Sequence, residues 1–431
     1  MSSLRELAAK GASWTVAGFG ALQIIRFSSN LVLTRLLFPE AFGLMALVQT
    51  FMLGLSMFSD IGIVPSIIQH KNGNEPSFLN TAWTLQVGRG FLLWLGAFLL
   101  ATPAAFFFKE PMLGNMLQLV GVNAIIQGFN STKLASANRK LLLGRITLID
   151  IGSYLIGVII MMTGAYFYRT VWALVWGGLV ASFVKMLCSH IFLEGESNRF
   201  QWNPAAFQAL YQYGRWVFVG TMVTFLAGQG DKLLLGRLFD VDFLAFYSLA
   251  FTLNTTYIRL FRKVGGQVLF PTYAKLFRKS REKLYSKLRK IRLLHIVLSW
   301  TVALFFIFYG VELIEILYDS RYESAGWILQ ILATGALIGC LNGSYVGVLM
   351  GMGEFKYSTL LLVLQLLLKF ILMYIGYLFL GEKGAIIGIA ATGYFLYPIN
   401  ALVFSKFSLW QPEVDVPIIV LTFFTLMYII V

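Results

Sequence analysis

The sequence predicts an all-α membrane protein that crosses the bilayer many times, built from two six-helix bundles with pseudo-two-fold symmetry and a further C-terminal helix. Composition is the first observation behind this prediction: 58% of the 431 residues are hydrophobic and only 13% are charged, whereas soluble domains are about 45–50% apolar and about 25% charged. The second is a series of long apolar runs, and the third is an internal repeat. Together they indicate a polytopic helical protein rather than a soluble one.

The apolar runs are long enough to be membrane spans, which need about 20 residues each. They cover 12–34, 41–68, 79–105, 113–132, 145–167, 170–193, 213–237, 243–266, 291–314, 325–349, 357–380, 384–405 and 415–431. The polar stretch between the sixth and seventh runs contains Pro204 and predicts a helix lying on the membrane surface. The loops contain no apolar core, so we expect no extramembrane domain.

Lys and Arg determine the predicted orientation. They concentrate in alternate loops, beginning with the N-terminal segment, and are densest in 271–292, whose last basic residue is Arg292. The positive-inside rule therefore predicts a cytoplasmic N-terminus. The net charge is +14. We attribute it to these loops and to cations inside the spans, and expect no nucleic-acid partner. We predict that segment 271–292 is an amphipathic stretch held at the membrane surface by anionic lipid.

Residue patterns for catalysis or metal binding are not found in the sequence. Cys188 and Cys340 both lie in apolar runs, and no CxxC motif or Cys/His cluster occurs, so neither a disulfide framework nor a zinc site is supported. No nucleophile–base pairing or phosphate-binding glycine loop is recognisable. We therefore expect no catalytic residue, no metal and no cofactor, and we predict that the protein is not an enzyme.

A helical hairpin near the N-terminus recurs about 200 residues later. The two segments are TRLLFPEAFGLMAL (34–47) and GRLFDVDFLAFYSL (236–249). Arg35 aligns with Arg237, and Glu40 aligns with Asp242. Both first helices would start on the same side, which predicts a parallel repeat about an axis normal to the membrane. Chance similarity between two hairpins is the alternative.

The repeat defines the predicted domains. We expect one six-helix bundle in 1–200, a second in 201–408, and an additional transmembrane helix in 409–431. Two such bundles facing each other would enclose a central cavity, which is the arrangement that transporters use for alternating access.

Three motifs carry a resemblance to a known family. They are GASWTVAG (11–18), TRLLFPEAFGLMA (34–46) and FSDIGIVPSIIQ (58–69), with weaker support from GQGDKLLLGRLF (228–239). The chain resembles the bacterial polysaccharide transporters, or oligosaccharide flippases, of the multidrug/oligosaccharidyl-lipid/polysaccharide exporter superfamily. That resemblance implies two six-helix bundles and the flipping of polyprenyl-diphosphate-linked sugars across the inner membrane. Family members often have fourteen helices, whereas this sequence ends within the thirteenth predicted run.

Charged residues inside the predicted spans are the candidates for function. The cations are Arg26, Arg89, Lys185, Lys232, Arg259, Arg262, Lys263 and Lys369, and the acids are Asp60, Asp150 and Asp231. A central charge costs ~3 kcal/mol on insertion scales. Each must therefore face a wet cavity, pair with an opposite charge, or extend its head group to the interface.

We predict that six of these cations bind the substrate diphosphate, since Arg grips phosphate oxygens with a bidentate fork and Lys acts as a point charge. They are Arg26, Arg89, Lys232, Arg259, Arg262 and Lys369. Asp60 and Asp231 are predicted to bind a coupling ion or to form ion pairs. For Arg26 the alternative is a pair with Asp60, and Arg259 and Arg262 lie near enough to the interface to snorkel.

The predicted function is the flipping of a lipid-linked oligosaccharide from the cytoplasmic to the outer leaflet of the bacterial inner membrane. The partners would be the glycan, membrane lipid and other polysaccharide-assembly proteins. A cation-coupled multidrug exporter of the same superfamily is the alternative, and it would favour carboxylates in the cavity over the observed surplus of cations. A membrane glycosyltransferase or polymerase would need paired catalytic carboxylates and a large external loop, and neither is visible.

Overall fold

The computed structural model describes residues 4–59, 62–70, 72–140, 142–214, 217–264, 281–352 and 354–430. In this part of the chain every regular element is helical. Residues 271–280 of the segment 271–292, predicted to be an amphipathic lipid-binding stretch, fall outside it. The helices form two compact units, Met1–Phe225 and Leu226–Val431.

The first unit contains nine helices in the described residues. They are α1 (Leu4–Leu36), α2 (Pro39–Phe58), α3 (Ile63–Gln69), α4 (Pro76–Phe108), α5 (Pro111–Gly128), α6 (Lys133–Arg139), α7 (Leu143–Tyr168), α8 (Trp172–Ile191) and α9 (Pro204–Gly214). Helix α9 is the helix predicted between the sixth and seventh runs. The boundary between the units falls inside the next helix, α10 (Val217–Leu238). The predicted division at residue 200 therefore stays a prediction.

The second unit continues from α10 with long helices. They are α11 (Val241–Val264), α12 (Arg281–Leu317), a short 3-10 helix (Ser320–Tyr322), α13 (Ser324–Met352), α14 (Phe355–Lys406) and α15 (Pro412–Ile430). Across both units, eight helices in the described residues are long and apolar enough to cross a membrane. The number is nine if α5 and α6, which meet at 59°, form one bent span. The protein is thus an all-α, multi-pass membrane protein, and the count of thirteen spans stays a prediction.

The second predicted span is interrupted, which corrects the expectation of one continuous run over 41–68. Helix α2 ends at Phe58 and α3 begins only at Ile63. Gly62, which precedes α3, has a left-handed backbone with φ of 63°, a conformation that glycine adopts without a steric penalty. The apolar sequence around it concealed the break. Asp60 falls in this interruption, outside the described residues.

The two hairpins of the predicted repeat break at equivalent positions. Helix α1 ends at Leu36 and α2 starts at Pro39, while α10 ends at Leu238 and α11 starts at Val241. In each case an Arg lies in the last turn of the first helix and an acidic residue in the first turn of the second. Both charges complement the helix dipoles at these ends. The local structure therefore agrees with the alignment of 34–47 and 236–249.

Helix α14 is two antiparallel segments joined at Gly381, whose φ of 58° and ψ of −132° are not helical. This confirms the predicted separation of the runs 357–380 and 384–405. Next to the turn the segments touch through backbone, because a Cβ on Gly376 would meet the carbonyl of Gly384, and one on Gly384 would meet the carbonyl of Gly376. Small residues of this kind permit close helix approach where lipid supplies no hydrophobic driving force.

We predict that Gly384→Ala destabilises the second unit, because the added methyl group would force the two segments of α14 apart. Overpacking of this kind costs about 1–3 kcal/mol, measurable as a lower midpoint of thermal unfolding in detergent. Gly178→Ala is the matched control, since nothing lies within 4 Å of a Cβ built at Gly178 and alanine is the better helix former. Equal unfolding midpoints for the two variants would contradict the close contact.

Candidate functional site

Charged side chains from the predicted spans gather in two places, one in each unit. The first-unit cluster consists of Arg26 on α1, Asp150 and Tyr154 on α7, and Lys185 on α8. The second-unit cluster consists of Asp231 and Lys232 on α10, Tyr247 on α11, and Lys369 on α14. A fifth in-span cation, Arg89 on α4, hydrogen-bonds to the end of α2.

The first-unit cluster combines an ion pair with a cation–π contact. The Lys185 Nζ lies 2.7 Å from Asp150 Oδ1, and the two side chains are 37% and 31% exposed. The Arg26 guanidinium carbon lies 5.4 Å from the centre of the Tyr154 ring, and Arg26 is exposed. Since Asp150 and Tyr154 are four residues apart, they share one face of α7.

This arrangement leaves the first-unit cluster with a net charge of +1. The partial exposure of the ion pair means that solvent weakens it, and such pairs contribute at most about 1 kcal/mol. Charges this accessible within membrane spans must face a water-filled space or the interface rather than lipid tails. The cluster therefore presents two cations to a polar environment.

Arg89 occupies a different setting, at the end of α2. Its Nε donates to Ser59 Oγ at 2.9 Å, and a terminal nitrogen donates to the Ser56 carbonyl at 2.6 Å. The last carbonyls of a helix have no intrahelical partner and carry the negative end of its dipole. Arg89 thus stabilises the point at which α2 stops inside the predicted span. Its predicted contact with substrate stays a prediction.

The second-unit cluster is more deeply buried. Asp231 is 1% exposed and accepts a hydrogen bond from the Tyr247 hydroxyl. The Lys369 Nζ lies 3.7 Å from Asp231 Oδ1 and donates to the Ala227 carbonyl at 2.6 Å. The lysine side chain is 12% exposed. Lys369 therefore has both a carboxylate and a carbonyl oxygen as partners, which compensates for the desolvation of its charge.

Lys232 points away from the carboxylate beside it in sequence. Neighbouring residues on a helix project about 100° apart, and the Lys232 Nζ lies 5.6 Å from the centre of the Phe251 ring. It is half-buried and adds a second cation near the Asp231–Lys369 pair. With one acid and two cations, the second-unit cluster also has a net charge of +1.

The remaining candidate residues lie beyond what the structure describes. Arg259 and Arg262 belong to α11, but their side chains are outside the described part, as is Asp60. Their proposed roles in binding or ion pairing stay predictions. In the described residues no group of three His, Cys, Asp or Glu side chains is placed to hold a metal ion.

One buried ion pair corrects the sequence assignment of Arg292. This residue was grouped with the cytoplasmic basic loop, but it lies inside α12, and its side chain and that of its partner Asp415 on α15 are both 0% exposed. Asp415 also accepts from the hydroxyls of Tyr345 and Tyr397, at 2.7 and 3.0 Å. The guanidinium carbon lies 3.8 Å from the centre of the Tyr345 ring. This closed network fastens α15 to the unit and leaves no access for a ligand.

Two of these partnerships were not anticipated from sequence. The pairing of Asp150 with Lys185 joins α7 to α8, and the pairing of Arg292 with Asp415 spans 123 residues. For the first pair the sequence signal was Asp150, an in-span acid without an assigned cation, and matching it to every in-span cation would have raised Lys185 as a possibility. Neither Arg292 nor Asp415 was among the predicted in-span charges, so the second pair had no such signal.

Comparison with known proteins places the chain among polysaccharide-assembly proteins. The sequence profile of the family described as "Polysaccharide biosynthesis protein" matches residues 32–326. The chain is 23% identical over 422 residues to the lipopolysaccharide biosynthesis protein WzxC of Escherichia coli K12, covering 95% of this chain and 82% of that protein. It is 21% identical over 287 residues to the teichuronic acid biosynthesis protein TuaB of Bacillus subtilis 168, covering 64% of this chain and 57% of TuaB.

Solved structures share its fold. The lipid II flippase MurJ superposes with a TM-score of 0.72 at 13% identity, covering 97% of this chain and 92% of MurJ. A multidrug-resistance transporter of the MATE family, in the MOP superfamily, superposes with a TM-score of 0.69 at 13% identity, covering 88% of this chain and 93% of its own. At this identity the likeness establishes the fold alone.

We predict that Lys369→Met destabilises the second unit by about 3–5 kcal/mol, because it leaves the Asp231 carboxylate buried without its cation. Adding Asp231→Asn should restore most of the loss, since the remaining amide is neutral. Unfolding midpoints of the single and double variants in detergent provide the measurement. The exposed pair is the control: Lys185→Met should cost at most about 1 kcal/mol. A Lys369→Met protein as stable as wild type would show that the second-unit pair is not stabilising.

Proposed function

Because the chain belongs to the family of polysaccharide biosynthesis proteins, we propose that it flips a polyprenyl-diphosphate-linked oligosaccharide from the cytoplasmic to the outer leaflet. The observation that carries this proposal is the surplus of cations over acids at membrane depth in both clusters. A diphosphate carries negative charge that these cations would neutralise. The MurJ-like fold supports transport across the membrane, and the relatives named for polysaccharide assembly support a glycan as the cargo.

The cations would divide the work of holding the diphosphate. Arg26 is exposed, so its planar guanidinium can donate two parallel hydrogen bonds to phosphate oxygens. Lys232 and Lys185 would add point charges. Lys369 would respond to the substrate in a different way, because Asp231 already lies 3.7 Å from its ammonium group. A diphosphate arriving beside Lys369 would compete with that carboxylate for the same cation.

Movement of the head group would follow from alternating access. We propose that the helices of the first predicted bundle rock against those of the second. The cations of each cluster would hold the diphosphate during this movement, while the polyprenyl tail would remain in lipid. The charge distribution of the loops favours a cytoplasmic N-terminus. We place the protein in the bacterial inner membrane, where it would act with other polysaccharide-assembly proteins.

The multidrug alternative receives less support from the site. An exporter of cationic compounds needs carboxylates that are available to its cargo, yet Asp150 lies 2.7 Å from Lys185 and Asp231 lies 3.7 Å from Lys369. Each described carboxylate at membrane depth in the two clusters is thus already neutralised by a lysine. An anionic cargo fits this arrangement better than a cationic one.

We predict that the double variant Arg26→Gln and Lys232→Gln loses polymer export. Each charge-assisted hydrogen bond contributes about 1.5–3 kcal/mol, so losing one in each cluster should weaken binding of the diphosphate at each cluster by about tenfold or more. The measurement is surface polysaccharide in a strain whose own flippase is deleted and replaced by the variant, with the amount of protein in the membrane determined in parallel.

The matched control is Lys109→Gln with Lys383→Gln, which removes the same charge from two exposed positions outside both clusters. This control should export like wild type. Normal export by a stably inserted Arg26→Gln, Lys232→Gln protein would overturn the assignment of these cations to substrate.

A further inference from the structure

A cavity of about 370 Å³ opens where α12 ends and α13 begins, away from both charged clusters. Its lining consists of Val311, Ser320, Arg321, Glu323, Ser324 and Trp327. Its volume falls within the range of about 300–1,000 Å³ that is typical of small-molecule sites. The lining unites one large aromatic ring with a guanidinium, a carboxylate and two hydroxyls.

The turn that forms the cavity wall is held in place by buried tyrosine side chains. Tyr318 and Tyr322 are 5% and 1% exposed, so the short 3-10 helix is anchored on both sides by buried rings. Burial raises the pKa of both hydroxyls well above the ordinary value for tyrosine, so they stay uncharged. Asp319 caps the turn, because its Oδ1 accepts from the Arg321 backbone nitrogen at 3.1 Å.

The polar groups are also held in position. The same Asp319 oxygen accepts from Arg321 Nε at 2.8 Å, which fixes the orientation of the guanidinium. Behind the cavity α12 and α13 are in close contact, since a Cβ on Gly326 would lie 2.8 Å from Val311 Cα. Trp327 packs with its ring centre 6.4 Å from that of Phe243. The cavity therefore exists before any ligand arrives, which limits the entropy lost on binding.

The chemistry of the lining selects among ligands. The Glu323 carboxylate in the lining and Asp319, which is bonded to Arg321 beside the lining, oppose a phosphate group, while Arg321 opposes an organic cation. An uncharged polyol satisfies all three, because vicinal hydroxyls donate to the carboxylate and accept from the guanidinium. The indole face of Trp327 offers a flat apolar surface with a polar edge, which suits the C–H face of a sugar ring.

We propose that this cavity binds one sugar residue of the lipid-linked glycan on the outer side of the membrane. The proposal rests on the proposed function, since it takes the glycan as cargo and places the basic segment before α12 in the cytoplasm. Helix α12 contains a 30-residue span, Leu288–Leu317, long enough to cross a bilayer. The cavity beyond its C-terminal end then faces the outside, where a sugar would dock after the diphosphate has crossed.

The test is photo-crosslinking with a benzoyl-phenylalanine at position 311, on the cavity wall, in cells that export polymer through this protein. Cells are fed a radiolabelled sugar precursor and irradiated, and the purified protein is examined for label. The control carries the same probe at position 316, because Ile316 lies on the same helix and is 75% exposed. We expect at least about fivefold more label at 311 than at 316, and a loss of that label when Trp327→Ala is added.

A second measurement protects the test against misfolding of the probe variants. Export by Ile316→Ala should remain near wild type, since Ile316 is 75% exposed and lies outside the cavity lining, whereas Trp327→Ala should export several-fold less at equal membrane abundance. Equal label at 311 and 316, or full export by Trp327→Ala, would overturn the sugar site. Label that is displaced by excess tetraphenylphosphonium would overturn it in favour of a cation site. The Arg26→Gln, Lys232→Gln protein keeps the cavity residues unchanged. If it loses both label and export, the result supports a sugar site that the glycan reaches only when the two clusters can handle its diphosphate. If the protein with the probe at position 311 exports normally but carries no label, the sugar site is rejected and the proposed function stands. If the Arg26→Gln, Lys232→Gln protein exports normally, the result counts against the proposed binding of the diphosphate by these cations.

Discussion

The energetic penalty for placing charge at membrane depth governs most of the polar structure in this protein. Three in-span cations in the described residues meet that penalty in different ways. Arg292 is neutralised completely by Asp415 and tyrosine hydroxyls, Lys369 is largely neutralised by Asp231 and a carbonyl oxygen, and Arg26 stays exposed beside an aromatic ring. This gradation separates structure from function, because only a cation that keeps some access to water can also bind a mobile anion. By that criterion the two clusters are suited to binding and the Arg292 network is suited to anchoring.

If the two clusters bind the diphosphate as proposed, the gradation also accounts for binding that does not become trapping. A fully dehydrated, unpaired cation would bind an anion strongly and release it slowly, since a charge buried alone is among the most expensive groups in a protein. Here the carboxylates of Asp150 and Asp231 moderate the lysines that face them. In the proposed site, a departing diphosphate would leave each lysine beside a carboxylate rather than unpaired. Binding and release can then lie close in free energy, as transport requires.

Much of the fold was predictable from sequence because a lipid environment restricts the chain to helices. The run lengths located nearly every long helix, and the polar residues flanking Gly381 predicted the separation of the two α14 segments. The break after Phe58 was missed, since the apolar residues around Gly62 read as one continuous span. The alignment of Arg35 with Arg237 was informative because both occupy the last turn of a helix that precedes a tight connection.

The site was less predictable, because charges were located along the chain but not matched in space. The bounds of the apolar runs identified Arg26, Lys232 and Lys369 as in-span cations. They held no information on which acidic side chain would lie beside each cation. Arg292 was misplaced because it follows a dense basic run, and only its position against Asp415 in three dimensions reveals its burial. The sequence contained no pattern that predicted the cavity beside Trp327. Its lining comes from the end of one helix, a short turn and the start of the next helix, and these form no recognisable motif.

The Arg292–Asp415 pair has a consequence for how the protein is made. The two residues are 123 positions apart, so the ribosome delivers the arginine long before its partner is synthesised. Until α15 arrives, the guanidinium must remain solvated by lipid head groups or water at the membrane surface. The pair can therefore close only after α15 has been synthesised. A chain truncated between these residues would leave Arg292 without its buried carboxylate.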